Sequence, residues 1–149
     1  MSHTPDWLKA GSNRDPIVQY ASSSALIHDT LVELMVRGVC VKYPRLKFVL
    51  AEFNAGWVAH WLDKVQQGWA REYAKDSSST PPIDVLELWK RQFYATIEDD
   101  IAALRTADMI GEETLLWGSD YPHTDSTWPC SAQVLDEMFE EYSAETRDK

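Results

Sequence analysis

Apolar positions recur along this chain with two alternating spacings, one helical and one extended. Ile17, Tyr20, Ser24, Ile27, Leu31 and Leu34 follow one another at three- and four-residue intervals, with Met35 beside them. That spacing puts them on one face of an amphipathic helix. Asp15 and Pro16 suit its cap and first turn, and Gly38 its stop. After Tyr43-Pro44, Leu46 to Ala51 is a compact apolar run of strand length. Trp57, Trp61, Val65, Trp69 and Tyr73 then repeat every fourth residue, predicting a second helix. A polar loop, Asp76 to Pro82, is too short to separate two domains. Beyond it, Ile83–Gln92 reads as a short helix, Phe93–Ile97 as a strand, and Ile101–Ile110 as a helix closed by Gly111. Thr114–Trp117 has the continuous apolar character of a strand covered on both faces. Val134, Leu135, Met138, Phe139 and Tyr142 mark a final helix.

Strands that alternate with helices imply right-handed crossovers and parallel pairing, hence an α/β fold. The expectation is one domain over residues 1–149, with 1–15 poorly ordered and 143–149 a frayed tail. Three strands leave both edges of such a sheet unpaired. Seven tryptophans among 149 residues require a substantial core or interface to cover them. A net charge of −10 argues against nucleic acid or an anionic membrane as partner. The polar start Met1–Asp6 has no signal-peptide core, and no apolar run approaches the ~18 residues of a membrane span. Cys40 and Cys130 are too far apart to suggest a metal knuckle or redox pair. A reduced, cytoplasmic protein is the resulting expectation.

Each predicted strand runs out into acid: Glu52, then Glu98-Asp99-Asp100, then Asp120. In a parallel sheet those ends lie on one side, where α/β proteins place their chemistry. Carboxylates converging with an imidazole suit a divalent metal such as zinc. The Glu98–Asp100 run reads more readily as ordinary acidic charge at a helix start. Glu52 opens a polar exit containing Asn54 and Gly56; Gly118 is expected to let something approach the backbone, and Pro122 to end the third strand. His123 could orient a substrate or bond within its own loop. His28 reads as a helix-surface residue, His60 as a helix residue at the surface or partly buried, and His3 lies near the terminus. No phosphate loop, nucleophile elbow or zinc knuckle is present in the sequence.

Two long motifs carry a resemblance. Gly38-Val39, Tyr43-Pro44-Arg45-Leu46-Lys47-Phe48-Val49-Leu50-Ala51-Glu52 and Ala55-Gly56-Trp57 form the first. Trp117-Gly118-Ser119-Asp120-Tyr121-Pro122-His123, with Asp125-Ser126-Thr127-Trp128-Pro129, forms the second. Together, across Pro16 to Tyr142, they resemble the amidohydrolase-related family. This is the decarboxylase-like branch of the metal-dependent amidohydrolases, with aminocarboxymuconate-semialdehyde and resorcylate decarboxylases among its members.

The resemblance implies the C-terminal part, about three β/α units, of a (β/α)8 TIM barrel with outer helices. It implies a divalent metal, zinc by preference, in the complete barrel, with Asp120 as its last-strand ligand. Asp120, Glu52 and His123 are the candidate catalytic residues; Asn54, Trp117 and Ser119 are candidates for substrate contact. Glu52 stands where many relatives carry a sixth-strand histidine that serves in catalysis, which leaves the proton-transfer assignment open. The family's first-strand His-x-His pair and fifth-strand histidine have no counterpart, so whether this chain holds metal alone stays open. The reaction implied is hydrolysis or non-oxidative decarboxylation of a small carboxylated, amide or lactone substrate. The alternatives are a catalytically silent truncated piece that self-associates or needs a partner half-barrel, and a small binding module. A homo-oligomer is expected.

Overall fold

The computed structural model describes residues 15–76 and 81–147. The expectation for residues 1–14, the His3 position and the middle of the polar loop fall outside them. The chain runs α1 (Pro16–Ala21), α2 (Ala25–Val36), α3 (Val39–Lys42), β1 (Phe48–Leu50), α4 (Val58–Lys75) and α5 (Val85–Gln92). It continues through β2 (Phe93–Ile97), α6 (Ile101–Arg105), α7 (Ala107–Ile110), a 3₁₀ turn (Glu112–Thr114), β3 (Leu115–Trp117), α8 (Ser131–Met138) and α9 (Ala144–Arg147).

The three strands pair in parallel in the order β1-β2-β3, as the alternation predicts. Phe48 lies opposite Phe93, Val49 opposite Tyr94, and Thr96 opposite Leu116. Leu50, Phe93, Ala95 and Ile97 are buried on one face, in the core that Trp61, Val65, Leu88 and Trp89 of the helices share. Trp89 stacks on Phe93 at 5.5 Å, and its indole N–H donates to Thr114 Oγ1 at 3.1 Å, tying α5 to the start of β3. Gln92, fully buried, donates from Nε2 to the carbonyls of Tyr43 and Leu46, both at 3.0 Å. The buried polar residues Gln92 and Thr114 are thereby satisfied.

The other face of the sheet is open: Val49 is 58% exposed and Leu116 41%. β3, expected to be covered on both sides, is instead an edge strand with Leu116 and Trp117 exposed. Its apolarity suits a strand with neighbours on both faces, and the described residues supply them on one.

Serine and threonine account for the breaks in two helices expected to be continuous. Ser22 Oγ donates to Val18 O and Thr106 Oγ1 to Ala102 O at 2.9 Å, each competing with the helical ladder. Gly38 ends α2 in the left-handed conformation, φ 74°, and Gly111 follows α7 at φ 93°. β1 is shorter than the apolar run because Leu46 O is taken by the Gln92 amide rather than by a ladder. Within the stretch expected to fray, Ala144–Arg147 is helical and Arg147 pairs with Asp136 at 2.6 Å. No described helix is long and apolar enough to cross a membrane.

Candidate metal centre at the strand exits

Parallel pairing brings the exits of β1, β2 and β3 to one side, and the chain leaves all three on acid. Glu52 and Asn54, after β1, and Asp120, after β3, adopt left-handed backbone at φ 67°, 52° and 56°. Such a conformation costs a non-glycine residue about 1–3 kcal/mol and persists where surrounding contacts over-determine it. Those contacts are visible at both exits.

After β1, Glu52 N donates to Thr96 Oγ1 at 3.0 Å. Ala55 N and Gly56 N both donate to Asp100 Oδ2 at 2.7 Å, and the Trp57 indole N–H is shared between the carbonyls of Phe53 and Asn54 at 3.0 Å each. After β3, Gly118 N extends the ladder by one bond to Ile97 O at 3.0 Å. Ser119 O then accepts from Ser126 Oγ at 2.6 Å and Thr127 N at 3.0 Å, and Asp120 O from His123 N at 2.9 Å. The Tyr121–Pro122 and Trp128–Pro129 bonds of this loop are cis.

The side chains that result lie close together. His123 Nδ1 is 2.8 and 2.9 Å from the two oxygens of Asp120. One donor atom from each of Glu52, Asp120 and His123 fits within 4.8 Å of the others. Asp120 is 10% exposed at its side chain and His123 56%, so the pair reaches from the wall into the opening. The hydrogen bond to Asp120, then the negative charges of Asp120 and Glu52, hold the His123 imidazole above its usual pKa. Glu98 is pushed up to about 7, first by burial and then by the charges of Asp120, Asp125, Asp99 and Glu52. A cleft of about 380 Å³ opens over these groups, lined by Glu52, Asn54, Glu98, Asp120, His123 and Asp125, with Tyr20 and Trp57 on its walls.

Four of the sequence candidates therefore share one cleft: Glu52, Asn54, Asp120 and His123. Trp117 and Ser119 are not among its lining residues. Trp117 donates from its indole to Glu98 O at 3.0 Å and borders a separate apolar groove with Phe139 and Tyr142. Ser119 serves its own loop through its carbonyl. Glu98, Asp125 and Tyr20 line the cleft without having been put forward as site residues. Glu98 had a signal in the convergence of strand-end acids, whereas Tyr20 reads as part of a helical stripe.

Three local readings are corrected. Asp100 is the helix cap that the acidic run predicts, Oδ1 accepting from Ala103 N at 3.0 Å, but its other oxygen crosses to the β1 exit. A Cβ built on Gly118 meets nothing within 4 Å; the close approach belongs to Gly56, where a Cβ would stand 2.6 Å from Ala102 Cβ and 2.8 Å from Asp100 Oδ1. His28 is not a surface residue. It packs on Trp57 at 4.4 Å, its Nε2 is buried without a hydrogen-bond partner, and burial lowers its pKa. His60 is exposed, as expected.

Comparison with known proteins bears on the family and the fold. The sequence model of the amidohydrolase family matches residues 7–149. A solved amidohydrolase from Mycobacterium avium subsp. paratuberculosis is similar at 21% identity with a TM-score of 0.68, over 89% of this chain and 33% of its own. The 5-carboxyvanillate decarboxylase of Sphingomonas paucimobilis is similar at 19% identity and TM-score 0.66, over 83% of this chain and 36% of its own. No curated protein matches. The chain thus spans about a third of the length of these two solved structures. With the family model covering nearly its whole length and three parallel β/α units that superpose on part of a (β/α)8 barrel, the chain belongs to the amidohydrolase family.

Proposed function

We propose that Glu52, Asp120 and His123 hold a divalent cation, zinc by the chemistry of the donors, for metal-assisted hydrolysis or non-oxidative decarboxylation. The substrate is a small carboxylated, amide or lactone compound. The observation that carries this reading is the convergence of three donor atoms within 4.8 Å from two separate strand exits. Two carboxylates and an imidazole are a fitting donor set for such an ion. Three protein ligands with room for a substrate are the pattern of a catalytic site rather than a closed structural one. Decarboxylation is retained beside hydrolysis because one similar structure is, by its name, a carboxyvanillate decarboxylase.

When bound, the cation polarises a carbonyl or carboxylate oxygen and makes water acidic near neutral pH. The chain's own groups manage the protons. Asp120 accepts a hydrogen bond from His123 Nδ1 and so fixes the ring. Glu98, lining the same cleft with its pKa raised in the metal-free chain by burial and the surrounding carboxylates, is the group we assign to proton exchange. The purified chain is expected to carry stoichiometric zinc by plasma mass spectrometry, and Asp120→Ala to lose it. A wild-type chain that stays metal-free after growth with added zinc would overturn this reading.

A second reading is that the chain turns nothing over by itself. The open sheet face at Val49 and Leu116 favours it, since a second copy or a partner half-barrel would be needed to cover that face. Turnover by a monomeric peak from size-exclusion chromatography would rule it out.

A further inference from the structure

We propose that Asp100 is a positioning residue: one carboxylate starts α6 with one oxygen and fixes the Glu52 loop with the other. This rests on the reading of Glu52 as a metal ligand. Oδ1 accepts from Ala103 N at 3.0 Å, while Oδ2 accepts from Ala55 N and Gly56 N at 2.7 Å each. An ordinary helix cap satisfies donors of its own helix; here two of the three donors lie 44 and 45 residues away. The contact is built from both sides. Gly56 lacks the Cβ that would stand 2.8 Å from Asp100 Oδ1, so the loop backbone seats directly on the start of α6. On the far side the Trp57 indole N–H grips Phe53 O and Asn54 O. Directly before and within this gripped stretch, Glu52 and Asn54 take the left-handed backbone that brings the Glu52 carboxylate to Asp120 and His123. Asp100 reaches the proposed ion only through this loop.

Asp100→Asn separates the two tasks. Its carbonyl oxygen caps a helix about as well as aspartate, and with that oxygen kept on Ala103 N the amide nitrogen faces the Ala55 and Gly56 donors and accepts nothing, so the loop contact is lost. Asp84→Asn is the control, because Asp84 caps α5 in the same way, accepting from Glu87 N at 2.9 Å, away from the cleft. Calorimetric titration of the full chain with zinc is expected to show Asp100→Asn weakened at least tenfold and Asp84→Asn within twofold of wild type. Exchange of the Ala55 and Gly56 amides, followed by NMR without metal, is expected to accelerate in Asp100→Asn alone. Wild-type affinity in Asp100→Asn, or an equal loss in Asp84→Asn, overturns the proposal. If the wild type itself binds no zinc, the metal reading fails, and unchanged amide exchange in Asp100→Asn then overturns the positioning role independently. If Asp100→Asn does not fold, Trp57→Phe removes the opposite grip; full zinc affinity there overturns the clamp.

Discussion

The exits of β1 and β3 both present a carboxylate from a left-handed residue, and they are held by opposite means. The β3 exit is self-contained: Ser119, Asp120, His123, Ser126 and Thr127 bond one another within a single loop. The β1 exit contributes little to its own shape. Trp57 braces it locally, but Thr96 of β2 and Asp100 at the head of α6 hold it from outside, 44 and 45 residues away. A self-braced loop keeps its form when its neighbours move, whereas a loop braced by other elements transmits their displacement to Glu52.

The largest test of that contrast replaces a glycine at each exit. Gly56→Ala would force a Cβ to 2.6 Å from Ala102 Cβ. It is expected to cost about 1–3 kcal/mol in urea unfolding, as overpacking does, and to weaken zinc binding through Glu52. Gly118→Ala meets open space and is expected to stay within about 0.5 kcal/mol of wild type. Equal losses at the two positions would erase the distinction.

Sequence legibility follows the same division. The β3 exit is readable because its partners are a few residues apart: an apolar run, a carboxylate, a turn and a histidine. Parallel order and the helix–strand alternation are readable too, since hydrophobic spacing is a local property. The role of Asp100 is not, because its nearby donor at Ala103 gives it a sufficient local explanation, and nothing local announces Ala55 and Gly56. His28 misleads for the same reason. Its helix looks amphipathic with the histidine outside, until α4 brings Trp57 against the ring. The open sheet face at Val49 and Leu116 is also illegible, since apolar residues report a strand's preference for cover and not whether the cover is present.

A smaller effect separates the two exits bond by bond. Thr96→Val keeps the shape of the side chain and removes the acceptor for Glu52 N; about 1 kcal/mol of stability is expected to go, as for one unsatisfied amide, with weaker zinc binding. Ser126→Ala removes the bonds to Ser119 O and Trp128 N at a similar cost. It is expected to loosen the Asp120–His123 pair while leaving the Ala55 and Gly56 amides protected from exchange. Faster exchange of those amides in Ser126→Ala would mean that the two loops are mechanically one.

Glu98 stands between the exits and senses both, which makes it the finest probe of their difference. In the folded chain its pKa is about 7; in the unfolded chain it is an ordinary glutamate near 4.3. Between those values the folded state binds more protons than the unfolded one, so stability falls as pH rises through this window and levels off above it. Glu98→Gln stays neutral throughout and is expected to escape that loss. Allowing for solvent screening of a half-buried group, its advantage over wild type should grow from near zero at pH 4 to about 0.5–1 kcal/mol at pH 8, measured by urea unfolding with chelator present. An advantage that does not change with pH would refute the burial and charge argument. The Asp120 charge acts on Glu98 more strongly than the Glu52 charge. Asp120→Asn should therefore lower the Glu98 pKa further than Glu52→Gln, as read from its side-chain carboxyl carbon by NMR titration. The reverse order would place the β1 exit, with its external braces, nearer the electrostatic centre of the cleft than the self-braced loop after β3.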